Sequence, residues 1–174
     1  MISSPPPLLP AADRSLQRAL QVARIDGWGV AGFSALCGLA ALVQAQWTAL
    51  GWCALAGGCG LLELHGRRRL RQSRPVGTVW LVNSQCLLLA VIWAYLWSRW
   101  QHFDPDAFWA QMPELARVKL NNDMRAAGLD PDYDRPALLL LMNQLVCVVA
   151  AAVSLLYQGG LGIYYAVKAR LPAA

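Results

Sequence analysis

Four polar side chains interrupt long apolar stretches of this sequence, and they are the residues with the most potential for chemistry. They are Glu63, Asn83, Gln85 and Gln158. A carboxyl or carboxamide group inside an apolar helix either bonds to a neighbouring helix or lines a path for a polar ligand or an ion. The sequence therefore predicts a polar cluster, with structural hydrogen bonding and a ligand or ion path as its two alternatives.

Glu63 is the one acid within an otherwise apolar helical stretch. Arg67 follows four residues later, which is the spacing of a favourable helical ion pair. We expect this ion pair at the membrane surface, with a proton-coupling or substrate-binding acid as the alternative. Asn83 and Gln85 point about 200° apart on a helix, so they cannot meet the same neighbour. A hydrogen bond from one of them to Gln158 is expected.

The elements that position these side chains follow from the distribution of charge. Only 14% of the residues are charged, and three runs carry no charge at all. These runs of 36, 24 and 32 residues lie between Asp26 and Glu63, between Arg74 and Arg99, and between Arg135 and Lys168. One helix crosses the hydrocarbon core with about 20 apolar residues, so each run is long enough to span a membrane.

The first run is too long for one crossing, because 36 residues of helix extend about 54 Å. Its polar cluster at 44–48 lies at its middle and predicts a turn there. Three runs therefore give four spans, predicted at residues 28–45, 48–64, 76–98 and 137–168.

The predicted fold class is all-α: an integral membrane four-helix bundle forming a single membrane domain over residues 1–174. Residues 1–26 are predicted to be a cytoplasmic segment with a helix on the membrane surface, and 65–75 a cytoplasmic loop. The outer segment 99–136 is expected to hold one short amphipathic helix that starts near Asp104 and stops at Gly128.

Orientation is predicted from the basic residues. With the amino terminus inside, ten Lys and Arg residues lie on the inner side and five on the outer side, as the positive-inside rule requires. The inner loop carries a run of arginines that we interpret as a topology anchor or a contact for lipid headgroups, and not as a nucleic-acid site. These are Arg67, Arg68, Arg69, Arg71 and Arg74. Both termini are then cytoplasmic, and we expect a bacterial inner membrane.

Aromatic residues support the same orientation, because they fall near the ends of the predicted spans. The inner belt is predicted to be Trp28, Trp80, Tyr164 and Tyr165, and the outer belt Trp47, Trp52, Trp97 and Trp100.

Small residues at helical spacing predict the faces on which the spans pack, since they let helix backbones approach closely. They are Ala31, Ala35, Gly38, Ala54, Gly58, Ala151 and Gly162.

No set of residues predicts catalysis, a metal or a cofactor. The five cysteines lie inside the apolar runs without metal-ligand spacing, and His65 and His102 are expected at opposite ends of the bundle, too far apart to share a haem. The leading hypothesis is a non-enzymatic small inner-membrane protein, a subunit or partner-binding scaffold of a larger membrane assembly. Its expected partners are the lipid bilayer and either other membrane protein subunits or further copies of itself. The alternative is a small transporter or channel with an inner-facing polar vestibule. An enzyme acting on lipid or isoprenoid groups is the third hypothesis.

Overall fold

The computed structural model describes the backbone of residues 11–72 and 74–169 and the side chains of 16–72 and 76–167. Every regular element in these ranges is a helix. The helices are α1 (Ala11–Val43), α2 (Trp47–Gln72), α3 (Arg74–Gln101), α4 (Pro105–Gln111), α5 (Glu114–Ala126) and α6 (Arg135–Ala169). Four of them, α1, α2, α3 and α6, are long and apolar enough to cross a membrane, which confirms the predicted all-α class with four spans.

The turn inside the first uncharged run lies where it was predicted. α1 ends at Val43 and α2 begins at Trp47, with Ala45 between them at a φ of 54°. The amide N–H of Gln46 donates to the carbonyl of Ala41 at 2.8 Å, which closes the end of α1. The polar residues therefore reverse the chain and divide this run into two helices.

The prediction of a separate N-terminal surface helix is wrong, because α1 is continuous from Ala11 to Val43. Gly27, near the expected boundary, lies against α2 instead of ending the helix. A Cβ atom at Gly27 would be 3.0 Å from the Leu64 side chain and 3.1 Å from the carbonyl oxygen of Gly60. Packing against α2 therefore holds this part of α1 in helical form. Residues 1–10 lie outside the described residues.

The arginine segment predicted as a loop at 65–75 is almost wholly helical. α2 continues to Gln72 and α3 begins at Arg74, with residue 73 outside the described residues. Arginine favours the helix, and no proline occurs between Trp47 and Pro75 to stop it. The two helices meet closely here, because a Cβ atom at Gly77 would overlap the backbone of Leu70.

The segment 99–136 holds two short helices, α4 and α5, where one was predicted. Met112 has an extended backbone with ψ at 135°, and Pro113 follows it. Proline disfavours helical conformation in the residue before it, which explains the break. The predicted start is confirmed, since the Asp104 carboxylate accepts from the amide of Asp106 at 2.9 Å. Gly128, with a φ of 77°, follows the end of α5 as expected.

The chain forms two compact units. Unit 1 comprises Met1–Ile92 and Ser154–Ala174, and unit 2 comprises Trp93–Val153. Within unit 1, α1 and α2 form an antiparallel hairpin with close backbone contact. A Cβ atom at Gly60 would lie 2.8 Å from both the amide nitrogen of Ala31 and the carbonyl oxygen of Gly27. Nearer the turn, Gly38 faces Cys53 across the same interface.

The small residues predicted for packing divide into two groups. Ala31 and Gly38 lie in the α1–α2 interface, whereas Ala35 and Ala54 are exposed. Gly58 and Gly162 have open space where a Cβ atom would be. Ala151 on α6 is half-buried.

Candidate functional site

Two acidic side chains from α1 and α2 are buried at the same level of the hairpin. Asp26 precedes the end of α1 at Val43 by 17 residues, and Glu63 follows the start of α2 at Trp47 by 16. Both are buried, with side chains 9% and 1% exposed. An antiparallel helix pair brings residues at equal distance from its turn to the same depth.

Asp26 accepts hydrogen bonds from two other helices. The Gln85 Nε2 group of α3 donates to Asp26 Oδ2 at 3.1 Å, and the Tyr157 hydroxyl of α6 donates to Asp26 Oδ1 at 2.9 Å. Each carboxylate oxygen of Asp26 therefore has a donor. Gln85 is positioned by its burial in α3, where it is 1% exposed.

Glu63 is bound in a parallel way. The hydroxyl of Tyr165, two turns beyond Tyr157 on α6, donates to Glu63 Oε1 at 2.9 Å. The side chains of Asp26 and Gln85 also interact with the Glu63 carboxyl. One polar cluster, which we call the acid cluster, thus joins the four apolar helices through Asp26, Glu63, Gln85, Tyr157 and Tyr165.

The two carboxyl groups have no basic partner among the described side chains. The ion pair found among the described side chains joins Arg117 to Glu114 in unit 2, at 3.9 Å. Two ionised carboxylates in contact repel each other, and neither can donate a hydrogen bond. A proton shared by the two groups would remove this repulsion and supply a donor for a hydrogen bond between them.

Gln85 is bonded on one side of its amide only. Its Nε2 group donates to Asp26, while its Oε1 atom is buried without a hydrogen-bond partner. A rotated amide would instead present Oε1 as an acceptor to a protonated carboxyl group. The Gln85 amide can therefore bond either to a carboxylate or to a protonated carboxyl group.

The cluster reaches the surface of unit 1 on one side. Tyr157 is 54% exposed, whereas Tyr165 is 2% exposed. Since Tyr157 bonds directly to Asp26, its hydroxyl connects the buried pair with the face of α6.

The structure brings together two of the four polar residues that the sequence singled out. Glu63 and Gln85 are in the acid cluster, whereas Asn83 is exposed on the other side of α3. Gln158 is buried, but its Oε1 atom has no hydrogen-bond partner. The predicted bond between Gln85 and Gln158 is not formed, since neither Oε1 atom has a donor.

The expected ion pair between Glu63 and Arg67 is also not formed. Glu63 turns toward Tyr165, and the Nε group of Arg67 donates to the backbone carbonyl of Leu20 at 3.1 Å. The rest of the arginine run lies at this end of α2, where Arg68 and Arg71 are exposed and Arg69 Nε bonds to His65 Nε2 at 3.3 Å. The side chain of Arg74 lies outside the described residues.

Sequence reasoning missed Asp26, Tyr157 and Tyr165. Asp26 was read as the boundary of the uncharged run, and Tyr165 as part of the inner aromatic belt. Tyr165 is instead buried, with its ring 5.7 Å from that of Tyr164. The signal that could have found Asp26 is its distance from the turn, which matches that of Glu63. Nothing comparable marks the tyrosines.

No group of three His, Cys, Asp or Glu side chains converges within the described ranges. The chemistry that the acid cluster offers is therefore that of a carboxyl pair with neutral oxygen and nitrogen neighbours. The chain matches no family model, and neither the search of curated proteins nor that of solved structures found a match.

Proposed function

We propose that this protein is a small membrane transporter that carries a proton on the Asp26–Glu63 pair. The observation that supports this most directly is the burial of two interacting carboxyl groups at the same level of the α1–α2 hairpin, within candidate membrane spans, without a basic partner in the described part of the chain. Ionisable groups buried among membrane-spanning helices are costly and mark proton or substrate paths in many membrane proteins.

The protonation of the pair can be coupled to helix movement because four helices meet at it. Loss of the shared proton leaves two negative charges in contact, in surroundings where water cannot screen them. The repulsion favours separation of α1 from α2, while Tyr157 and Tyr165 hold each acid to α6. A change in protonation therefore shifts the balance between two arrangements of the helices, which is the requirement for proton-coupled transport.

The polar neighbours complete this function. Tyr157 gives Asp26 a connection to the exposed face of α6, and Gln85 supplies a bonding partner in either protonation state. These are also the positions at which a solute with hydrogen-bonding groups would compete with the proton. The proposed vestibule is the space around them, at the arginine-bearing end of the bundle.

The shared proton is tested by infrared difference spectroscopy of the purified protein in vesicles. We expect the carbonyl band of a protonated carboxyl group at neutral pH, and its loss in both Asp26→Asn and Glu63→Gln. Each variant replaces one acid by an amide of the same shape, so the pair stays hydrogen-bonded without the extra proton. Asp123→Asn, at an exposed position on α5, is the matched control and should leave the band unchanged.

Transport is tested in the same vesicles with a trapped pH-sensitive dye. An imposed pH gradient should dissipate faster with the wild-type protein than with either amide variant. Equal dissipation by all four proteins, together with a carboxyl band that survives both substitutions, would refute the proposal.

A second candidate, a subunit or scaffold that binds another membrane protein or a second copy, is favoured by a groove between α1 and α2. The groove has a volume of about 600 Å³ and includes the exposed residues Ala35 and Ala54 and the open Gly58. Small residues suit contact with another helix better than contact with lipid. A stable monomer without co-purifying protein in mild detergent would count against this candidate.

The orientation with both termini in the cytoplasm of a bacterium is part of the proposal. It is supported by the excess of basic residues on that side of the four spans. A fluorescent reporter that folds only in the cytoplasm, fused after Ala174, should be bright, and a dark fusion would reverse the orientation.

A further inference from the structure

Arginines from two helices converge beside the acid cluster. Arg67 of α2 donates its Nε hydrogen to the carbonyl of Leu20 at 3.1 Å, and Arg24 lies one turn beyond Leu20 on α1. Arg71 lies one turn beyond Arg67, and Arg68 is adjacent to it. The charges of Arg24, Arg68 and Arg71 all act on Arg67. We call these four residues the arginine cluster.

The arginine cluster has no acidic partner among the described side chains. The nearest acids in sequence, Asp26 and Glu63, bond to tyrosine and glutamine side chains instead. Part of the repulsion is offset by the carbonyl groups at the end of α2, which favour positive charge. Arg24 is in the interior of α1 and has no such offset. Four like charges held at two helices therefore favour a bound anion.

The geometry selects the class of anion. Guanidinium groups form paired hydrogen bonds with phosphate oxygens, which makes arginine the preferred residue for this group. Arg67 uses Nε for Leu20, so its terminal nitrogens remain to bind outward. Its backbone contact fixes the group in place, which lowers the cost of ordering it on binding.

Position selects the source of the phosphate. The cluster occupies the end of the candidate span Trp47–Gln72 and the early part of Leu16–Val43, just outside the uncharged run between Asp26 and Glu63. The boundary of the hydrocarbon is expected there. Phospholipid headgroups lie at this level, and each basic residue near an anionic membrane surface adds to binding. We infer that Arg24, Arg67, Arg68 and Arg71 bind the phosphate group of an anionic phospholipid.

The test uses the full chain purified in mild detergent and mixed with phosphatidylglycerol or with phosphatidylcholine. Native mass spectrometry should show retained phosphatidylglycerol and little phosphatidylcholine. Arg67→Gln with Arg71→Gln should weaken phosphatidylglycerol retention about tenfold or more, because two phosphate contacts are lost. Arg69→Gln is the control for general charge: Arg69 is in the same turn of α2 but bonds to His65, and the variant should lose far less retention than the double variant.

Two further arms keep the test decisive. Arg67→Lys keeps the charge but not the paired geometry, so it should bind more weakly than the wild type and more tightly than the double variant. Inorganic phosphate at millimolar concentration should not displace the lipid. Displacement of the lipid would assign the site to a soluble phosphate. If Arg69→Gln and the double variant retained the lipid at the same reduced level, general electrostatic attraction would explain the binding. Either result overturns the inference.

Discussion

The two units of the molecule satisfy their charged side chains in opposite ways. In unit 1 the buried acids Asp26 and Glu63 bond to tyrosine and glutamine side chains and interact with each other. In unit 2 half-buried arginines lie on aromatic rings and bond to neutral acceptors. Arg99 Nε donates to Asn143 Oδ1 at 2.9 Å, and the Arg135 guanidinium lies 4.6 Å from the centre of the Trp109 ring.

This difference separates contacts that can change their charge from contacts that cannot. Arginine keeps its proton under all physiological conditions, so these arginine contacts of unit 2 keep their charge. A carboxyl pair without a basic partner gains or loses a proton when its surroundings change. The distinction is the reason that we propose proton coupling for unit 1.

The largest effect is expected where α1 and α2 are closest. Gly60→Ala should destabilise the protein by about 1–3 kcal/mol, because its Cβ atom meets the α1 backbone at Gly27 and Ala31 and the hairpin must open. The free energy of unfolding in mixed micelles measures this. Gly58→Ala is the control on the same helix, with open space around it, and should be neutral or slightly stabilising. Equal losses in both variants would show that this contact does not hold the hairpin.

The next effect distinguishes the charge of Asp26 from its hydrogen bonds. Asp26→Ala leaves Tyr157 and Gln85 without their acceptor and should cost about 1–3 kcal/mol of unfolding free energy. Asp26→Asn keeps an oxygen that accepts from Tyr157 and should cost less, while removing the shared proton. The same unfolding measurement checks the order. If the two variants were equally unstable, the carboxylate itself would be the structural element and the acid pair would need another explanation.

The sequence predicted the helices well and the site in part, for physical reasons that can be named. Charge-free runs and the polar residues at 44–48 were sufficient to predict four apolar helices, because lipid exposure leaves a strong pattern. Pro113 as a helix break was missed, although its effect is local. Asp26 was missed because charge near the end of a run was taken to mean exposure, while the adjacent Gly27 in fact draws this turn of α1 against α2.

The tyrosines show where sequence patterns cannot predict a site. Tyr164 and Tyr165 are neighbours near the end of α6, and both fit an aromatic belt equally well. Only the rotation of α6 against the other helices decides that Tyr165 meets Glu63. That rotation depends on contacts between residues more than 100 positions apart in the chain. The periodicity of a single helix carries no information about such contacts.

A smaller effect is expected in unit 2. Arg99→Ala removes the donor to Asn143, whose Oδ1 atom then has no partner while its Nδ2 atom already has none. The cost should be about 1 kcal/mol of unfolding free energy, since Arg99 is only half-buried and its contact is a single hydrogen bond. The carboxyl band of the acid cluster should be unchanged in this variant. A change in that band would show that the Arg99–Asn143 contact of unit 2 is coupled to the acid cluster of unit 1. We expect the two to be independent.

The smallest effect is expected from replacing Trp109, the aromatic residue that two arginines of unit 2 contact. Trp109 has Arg135 at 4.6 Å and Arg117 at 6.0 Å from its ring centre, and Arg117 is also held by the carbonyls of Met112 and Ala110 at 2.7 and 2.9 Å. Trp109→Leu keeps an apolar side chain but removes the ring face, at a cost of about 0.5–1 kcal/mol. Hydrogen exchange should then rise at the start of α6 around Arg135, with less change near Arg117, because the carbonyl contacts of Arg117 remain. The opposite pattern would mean that the ring fixes the α4–α5 segment and that Arg135 depends on other contacts.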